Sequence, residues 1–105
     1  MKIIYNNILP FKGFKCVNLF GILFARKGAN ITQITVNHES IHSQQMKELL
    51  YLPFYIWYII EWLIRLFLKG NAYRNISFER EAYSNERNAD YLSKRKHFAF
   101  LDYLK

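Results

Sequence analysis

A stretch of twenty residues, 49–68, is almost entirely apolar and has the sequence LLYLPFYIWYIIEWLIRLFL. Twenty apolar residues are enough for a helix to span a lipid bilayer. Pro53, Glu61 and Arg65 interrupt the stretch, and the two charged residues have the i, i+4 spacing of a helical ion pair. They share a helical face with Tyr58, so the pattern predicts an amphipathic helix. It favours a helix buried in a protein core over one lying on a membrane surface, and it favours a spanning helix least.

Length and composition predict one small domain, residues 1–105. Apolar residues make up 51% of the chain and aromatic residues 18%, so a few large side chains can supply much of a core. Cys16 is the only cysteine, which excludes an internal disulfide. The first residues have neither the apolar run nor the cleavage site of a signal peptide, so we expect a cytoplasmic protein.

The chain carries a net charge of +7. Such a charge attracts nucleic acids, anionic lipids or acidic substrates. The basic residues are spread thinly and no nucleic-acid recognition motif accompanies them, so we expect no nucleic-acid partner. Association with a membrane surface through residues 49–68 stays open as an alternative, and no oligomeric state is predicted.

Local signals predict an α+β fold, with a small antiparallel sheet of two or three strands packed on three to four helices. Predicted strands cover residues 3–9, residues 14–26 as a strand or a strand with a bulge at Gly21, and residues 31–36 as a strand or an extended approach to a helix. Asn37 is the expected N-cap of the first helix and Ser77 that of the third. Predicted helices cover residues 38–52, 54–69 and 77–92, with a short helix in the C-terminal tail.

The first predicted helix begins with an H-E-x-x-H motif, formed by His38, Glu39 and His42. Histidines four residues apart lie on one helical face, where both imidazoles can reach one Zn²⁺ at about 2.0–2.1 Å. Glu39 stands beside the first ligand, in the position of a general base that activates water. Two of the three histidines of the chain belong to the motif, which therefore predicts a catalytic zinc site.

A catalytic zinc site needs a third protein ligand and one open position. No cysteine follows His42 and the only other histidine is His97, so carboxylates of the third predicted helix are the better candidates. Glu79 and Glu86 are seven residues apart, share a helical face and each precede an alanine by three residues, whereas Glu81 points elsewhere. The carboxylates not used as ligands are expected to be solvated or paired surface charges.

An H-E-x-x-H motif followed by E-x-x-A on a second helix resembles the pattern of the gluzincin metallopeptidases. The length of the chain, the HESIH motif and the run YRNISFEREAY are similar to those of the minigluzincins, over about residues 14–92. This resemblance implies a minimal zincin-like domain that hydrolyses peptide bonds of a peptide or protein substrate. It implies His38, His42 and Glu79 as the zinc ligands.

The resemblance also implies how such a site works, and one position of the chain differs from the family pattern. An edge strand within residues 14–26 is implied to pair with an extended substrate. Glu39 is expected to take a proton from water and pass it to the leaving amine, and Tyr83 or Tyr73 to stabilise the oxyanion. Tyr83 stands where many gluzincins have an aspartate that supports the metal site.

The C-terminal tail has two interpretations. Residues 97–104 (HFAFLDYL) place five large apolar side chains next to the chain end, so we expect them to be buried. They either complete the core or, as the resemblance implies, cover the cleft and keep the enzyme latent. Two functions without catalysis stay open as alternatives: a binding protein on a membrane surface and a zinc-stabilised binding module.

Overall fold

The structure, a computed structural model, describes residues 1–7 and 15–104, and there it has the predicted α+β architecture. Its strands are β1 (Ile3–Asn6), β2 (Cys16–Leu19) and β3 (Ile22–Arg26). Its helices are α1 (Gln33–Glu48), α2 (Leu52–Arg65), α3 (Ser77–Asn85) and α4 (Tyr91–Lys94), followed by a 3-10 helix at Ala99–Tyr103. Residues 8–14, which hold the end of the first predicted strand and the start of the second, lie outside the described residues.

The three strands form a mixed sheet in the order β1-β3-β2. β2 and β3 are antiparallel, with Val17 opposite Phe24, whereas β1 runs parallel to β3. The prediction of an antiparallel sheet is therefore wrong for β1. Strands that alternate in direction form a fully antiparallel sheet only if neighbours in the sequence are also neighbours in the sheet, and β1 instead pairs with β3. Among the described strands, β2 thus lies at an edge of the sheet.

A tight turn divides the predicted strand over residues 14–26 into β2 and β3. Its two residues, Phe20 and Gly21, have positive φ angles of 53° and 89°, as a two-residue hairpin turn requires. Glycine adopts this backbone conformation readily. The N–H of Phe20 donates a hydrogen bond to the Tyr55 hydroxyl at 3.0 Å, which ties the turn to α2. The predicted bulge at Gly21 is therefore a chain reversal.

α1 begins earlier than predicted. Its N-cap is Thr32, whose hydroxyl accepts a hydrogen bond from the N–H of Thr35 at 3.2 Å. Most of the segment 31–36, predicted as extended, is thus the first turn of the helix, and Asn37 is buried in the second turn rather than capping the first. β-branched residues disfavour helix only weakly, and the cap and the buried inner face outweigh that preference.

α2 is not the buried core helix that the sequence favours, because only its Phe54 is buried. The expected ion pair within the helix does not form either. Glu61 instead accepts a hydrogen bond from the N–H of Ser77 at 2.8 Å, and Arg65 donates to the backbone carbonyl of Leu104 at 2.9 Å. The neighbouring elements cover one side of α2 and leave its other side exposed. In the described part of the chain, no helix is both long and apolar enough to cross a bilayer.

α3 is shorter than predicted and ends at Asn85 instead of near residue 92. Ser77 is its first helical residue rather than its N-cap. The hydroxyl and the N–H of Ser77 both donate to the Glu61 carboxylate, so a side chain of α2 takes the place of the expected cap. A negative charge at this end of a helix is favourable, because it opposes the helix dipole.

The apolar core joins α1, α2, α3 and the C-terminal tail. Its central cluster consists of Met46, Phe54, Ile76, Phe78 and Phe100. The rings of Phe78 and Phe100 lie 4.7 Å apart between centroids, and Phe100 is fully buried. Phe100 of the tail therefore completes the core, as one of the two predicted interpretations requires. The expectation that all five large apolar side chains of the tail are buried is wrong, because Phe98, Leu101 and Leu104 are exposed.

Candidate metal centre

Three buried side chains from two helices converge at the inner side of α1. His38 and His42 lie one turn apart on α1, and Glu79 lies in the first turn of α3. The Nε2 atoms of His38 and His42 stand 3.2 and 3.0 Å from the same oxygen, Oε1 of Glu79. Helical spacing places the two imidazoles side by side, and the packing of α3 against α1 brings the carboxylate to both.

The imidazole of His38 is oriented by a second carboxylate. Its Nδ1 lies 2.9 Å from Oε1 of Glu86, and this contact fixes the ring so that Nε2 faces Glu79. The Nδ2 group of Asn37 lies 2.8 Å from the carbonyl oxygen of Glu86 and also within hydrogen-bond distance of two neighbouring carbonyls. Asn37 thus holds the end of α3, and with it Glu86, against α1.

The imidazole of His42 is oriented by an amide. Nδ1 of His42 lies 2.7 Å from Oε1 of Gln45, three residues further along α1. The amide nitrogen of Gln45 donates to the carbonyl of Phe78 and to the carboxylate of Glu81, each at 3.0 Å. Both of those partners are acceptors, so the amide oxygen must face His42. Nε2 of His42 is then directed at Glu79, as in His38.

In the cluster, His42 and Glu79 each stabilise the charged form of the other. Burial opposes protonation of His42, but the charge of Glu79 and its hydrogen bond outweigh burial and raise the pKa of His42 to about 9. Burial likewise opposes ionisation of Glu79, but the charge of His42 and hydrogen bonds from both histidines hold the pKa of Glu79 well below its usual range. The second oxygen of Glu79 accepts a hydrogen bond from the Tyr58 hydroxyl at 2.7 Å. One carboxylate oxygen therefore remains directed at the histidines.

This donor set fits a zinc ion. The ligand atoms of His38, His42 and Glu79 all lie within 4.8 Å of one another. Four ligands at about 2.0–2.1 Å around a tetrahedral ion stand about 3.3–3.4 Å apart, close to the two distances from Glu79 Oε1. Two imidazoles whose protons a metal ion displaces and one carboxylate are a ligand set that suits zinc, and each imidazole is held by a partner at its other nitrogen. The residues can therefore hold a metal ion with three protein ligands.

The two other candidate carboxylates have separate roles. Glu86 orients His38, as described above. Glu81 is fully buried and pairs with Arg95, which also pairs with Glu48 at 2.9 Å. The expectation that Glu81 is a surface charge is therefore wrong. Its carboxylate and that of Glu48 are buried beside the metal cluster together with the Arg95 guanidinium, which carries the opposite charge.

A cleft of about 340 Å³ opens beside the cluster, and we refer to it as the cleft. One wall is β2, through residues 16–18, and Glu39, His42 and Glu79 contribute side chains. The lining also includes four aromatic rings, namely those of Phe54, Tyr55, Tyr58 and Tyr73. All of these lining residues lie outside the C-terminal tail, so among the described residues the tail does not cover the cleft.

Glu39 is half-buried, and its side chain lines the cleft. Among the described residues, no group donates a hydrogen bond to its carboxylate. Its backbone carbonyl is held by the side chain of Asn18 at 2.9 Å, which links β2 to the helix that carries the histidines. The carboxylate is thus positioned by its helix and is available to a water molecule in the cleft.

Tyr83 and Tyr73 lie next to each other, and Tyr83 contacts the ring of His38. The ring of Tyr83 packs edge-on against the His38 imidazole, with 4.6 Å between the ring centroids. The Arg74 guanidinium lies over the Tyr83 ring, 3.9 Å from its centroid. The Tyr83 hydroxyl lies 3.5 Å from that of Tyr73, and it is Tyr73 that lines the cleft. Tyr83 thus packs its ring against His38, and the carboxylate that supports His38 comes from Glu86.

Sequence reasoning missed three residues of the site. Gln45 could have been found from its i, i+3 spacing to His42, and Tyr58 from the helical face that it shares with Glu61. Asn37 carries no such signal, because its partners lie at the end of a distant helix.

Comparisons with known proteins do not place the chain in a family. No protein-family model, no curated protein and no solved structure matches it. The resemblance to the minigluzincins therefore rests on the H-E-x-x-H motif and on the segment around Glu79.

Proposed function

We propose that the protein is a zinc-dependent metallopeptidase with His38, His42 and Glu79 as the metal ligands. The observation that carries the proposal is the convergence of both motif histidines on one buried carboxylate oxygen, beside a cleft that contains Glu39. A closed structural zinc site takes four protein ligands, whereas a catalytic site keeps one position open. Three ligands at the wall of a cleft are typical of a catalytic site.

Glu39 and two tyrosines have parts in this proposal. A bound zinc ion supplies a polarised scissile carbonyl and a water whose pKa is lowered toward about 7. Glu39 takes the proton of the attacking water and returns it to the leaving amine. Burial and the charge of Glu79 raise the pKa of Tyr73, so its hydroxyl stays protonated and can donate a hydrogen bond to the oxyanion of the substrate. Tyr83 supports both His38 and Tyr73.

Substrate is proposed to bind along β2. This strand lies at the sheet edge among the described strands and forms one wall of the cleft. An extended peptide that adds to such an edge gains backbone hydrogen bonds without requiring one particular side chain. The aromatic rings that line the cleft provide an apolar surface for the substrate's side chains.

We expect the purified protein to cleave a mixture of unstructured, fluorescence-quenched peptides. A zinc chelator should reduce cleavage to the background rate, and about one equivalent of zinc should restore it, because the ligands are on the protein and the ion is exchangeable. The measurement is the initial rate of fluorescence increase. Protein that holds one zinc per chain and cleaves no peptide in the mixture would contradict catalysis and favour the zinc-stabilised binding module.

A further inference from the structure

In the part of the chain that the structure describes, the outer side of α2 is an apolar surface that no other element covers. Every exposed side chain of α2 and of the three residues that follow it, 66–68, is apolar, and the most exposed are Phe67 at 90%, Leu52 at 62% and Ile64 at 56%. We call these exposed residues the apolar face of α2. At about 100° per residue, the exposed positions of the helix cover an arc of about 200°.

The inner side of α2 is already fixed to the rest of the protein. Phe54 lies in the central core cluster, and the ring of Trp57 packs edge-on against that of Phe100 at 5.2 Å. Glu61 faces the start of α3, and Tyr58 faces the metal cluster. The polar residues of α2 thus point inward and the aliphatic residues outward, the reverse of what water around the helix would favour.

The exposed charges of the described residues are mostly positive. Nine lysine and arginine side chains are exposed, whereas Asp90 and Asp102 are the only exposed carboxylates. The six glutamates are all buried or half-buried, because they serve the metal cluster, the cleft, the Arg95 cluster and the start of α3. Burial of the negative charges leaves the exposed surface of the described residues mostly basic, and Lys69 directly follows the apolar face in the sequence.

We propose that the apolar face of α2 docks the protein on the surface of a lipid bilayer that contains anionic headgroups. A helix that lies in the plane of a membrane buries its apolar side about 5–10 Å deep and gains further binding energy from basic residues near anionic lipids. An apolar arc of about 200° suits such immersion better than contact with a second copy of the chain, since one helix contacts another along a narrower stripe. The inference is independent of the proposed catalysis.

The test is binding to vesicles of phosphatidylcholine that contain about 30% phosphatidylglycerol, measured by co-sedimentation. Both tryptophans, Trp57 and Trp62, lie in α2, and Trp62 is on the outer side. We expect the protein to sediment with these vesicles and its tryptophan emission to shift to shorter wavelength. The Trp62→Phe variant should lose most of that shift, and raised salt should weaken binding.

A triple variant with Ile59→Ser, Leu63→Ser and Phe67→Ser is expected to bind at least tenfold more weakly, because it removes three exposed apolar side chains from the face. Tyr5→Ser, an exposed aromatic residue of β1, is the matched control and should bind as the wild type does. Lack of sedimentation with anionic vesicles would overturn the proposal, as would equal losses in the triple variant and the control. A stable dimer in sedimentation velocity that the triple variant dissociates would assign the face to a second copy instead.

Discussion

The Glu39→Gln variant is expected to retain its zinc and to lose peptide hydrolysis by a factor of about 10²–10⁴. The amide has nearly the shape of the carboxylate but cannot accept a proton from water. Glu39 is not one of the converging ligands, and among the described residues nothing is hydrogen-bonded to its carboxylate, so the fold and the metal affinity should change little. The measurement is kcat/KM together with the zinc content of the same preparation.

The Asp90→Asn variant is the matched control for Glu39→Gln. Asp90 is exposed and lies outside the cleft, so the same chemical change there should leave kcat/KM unaltered. Undiminished hydrolysis in Glu39→Gln would remove the general-base role. Loss of zinc in Glu39→Gln would also contradict the account, because it would make Glu39 a ligand.

The Arg95→Met variant is expected to lower the free energy of unfolding by about 3–5 kcal/mol. The Arg95 guanidinium pairs with Glu48 at 2.9 Å and with Glu81, and the three side chains are only 4%, 7% and 0% exposed. Methionine fills a similar space but leaves two carboxylates buried without their cation. A domain of this size has about 5–15 kcal/mol of stability in total, so the loss would be large. Urea denaturation followed by circular dichroism measures it.

Lys96→Met is the control for Arg95→Met. Lys96 is the next residue, is 68% exposed and pairs with an exposed partner, Asp102. Exposed ion pairs contribute little, so this variant should change the free energy of unfolding by less than about 1 kcal/mol. Equal effects of the two substitutions would mean that the buried cluster contributes no more to the free energy of unfolding than an exposed ion pair does.

The metal cluster was predictable because helical spacing and chemistry fix most of it. An i, i+4 pair of histidines lies on one face in any helix, and Glu79 was one of three carboxylates that could meet them. The α+β class followed in the same way from local patterns, which depend on near neighbours in the chain. Residue types and short spacings were thus enough to predict the candidate metal ligands and the approximate positions of the helices and strands.

The features that local patterns did not predict depend on distant contacts. The pairing of β1 with β3, the burial of Glu81 and the support of His38 by Glu86 all join segments far apart in the sequence. The exposure of α2 was missed for another reason. An amphipathic pattern shows that a helix has two sides, but not which side the rest of a small chain is able to cover.

The most direct test of the central claim is the zinc content of the purified protein, measured by elemental analysis. We expect about one zinc per chain in the wild type and none in the Glu79→Gln variant, because an amide oxygen is a poor substitute for the ligating carboxylate. Glu86→Gln should keep its zinc with reduced affinity, since the new amide oxygen can still accept the hydrogen bond from Nδ1 of His38. A wild type without zinc, or a Glu79→Gln variant that retains it while Glu86→Gln loses it, would contradict the account.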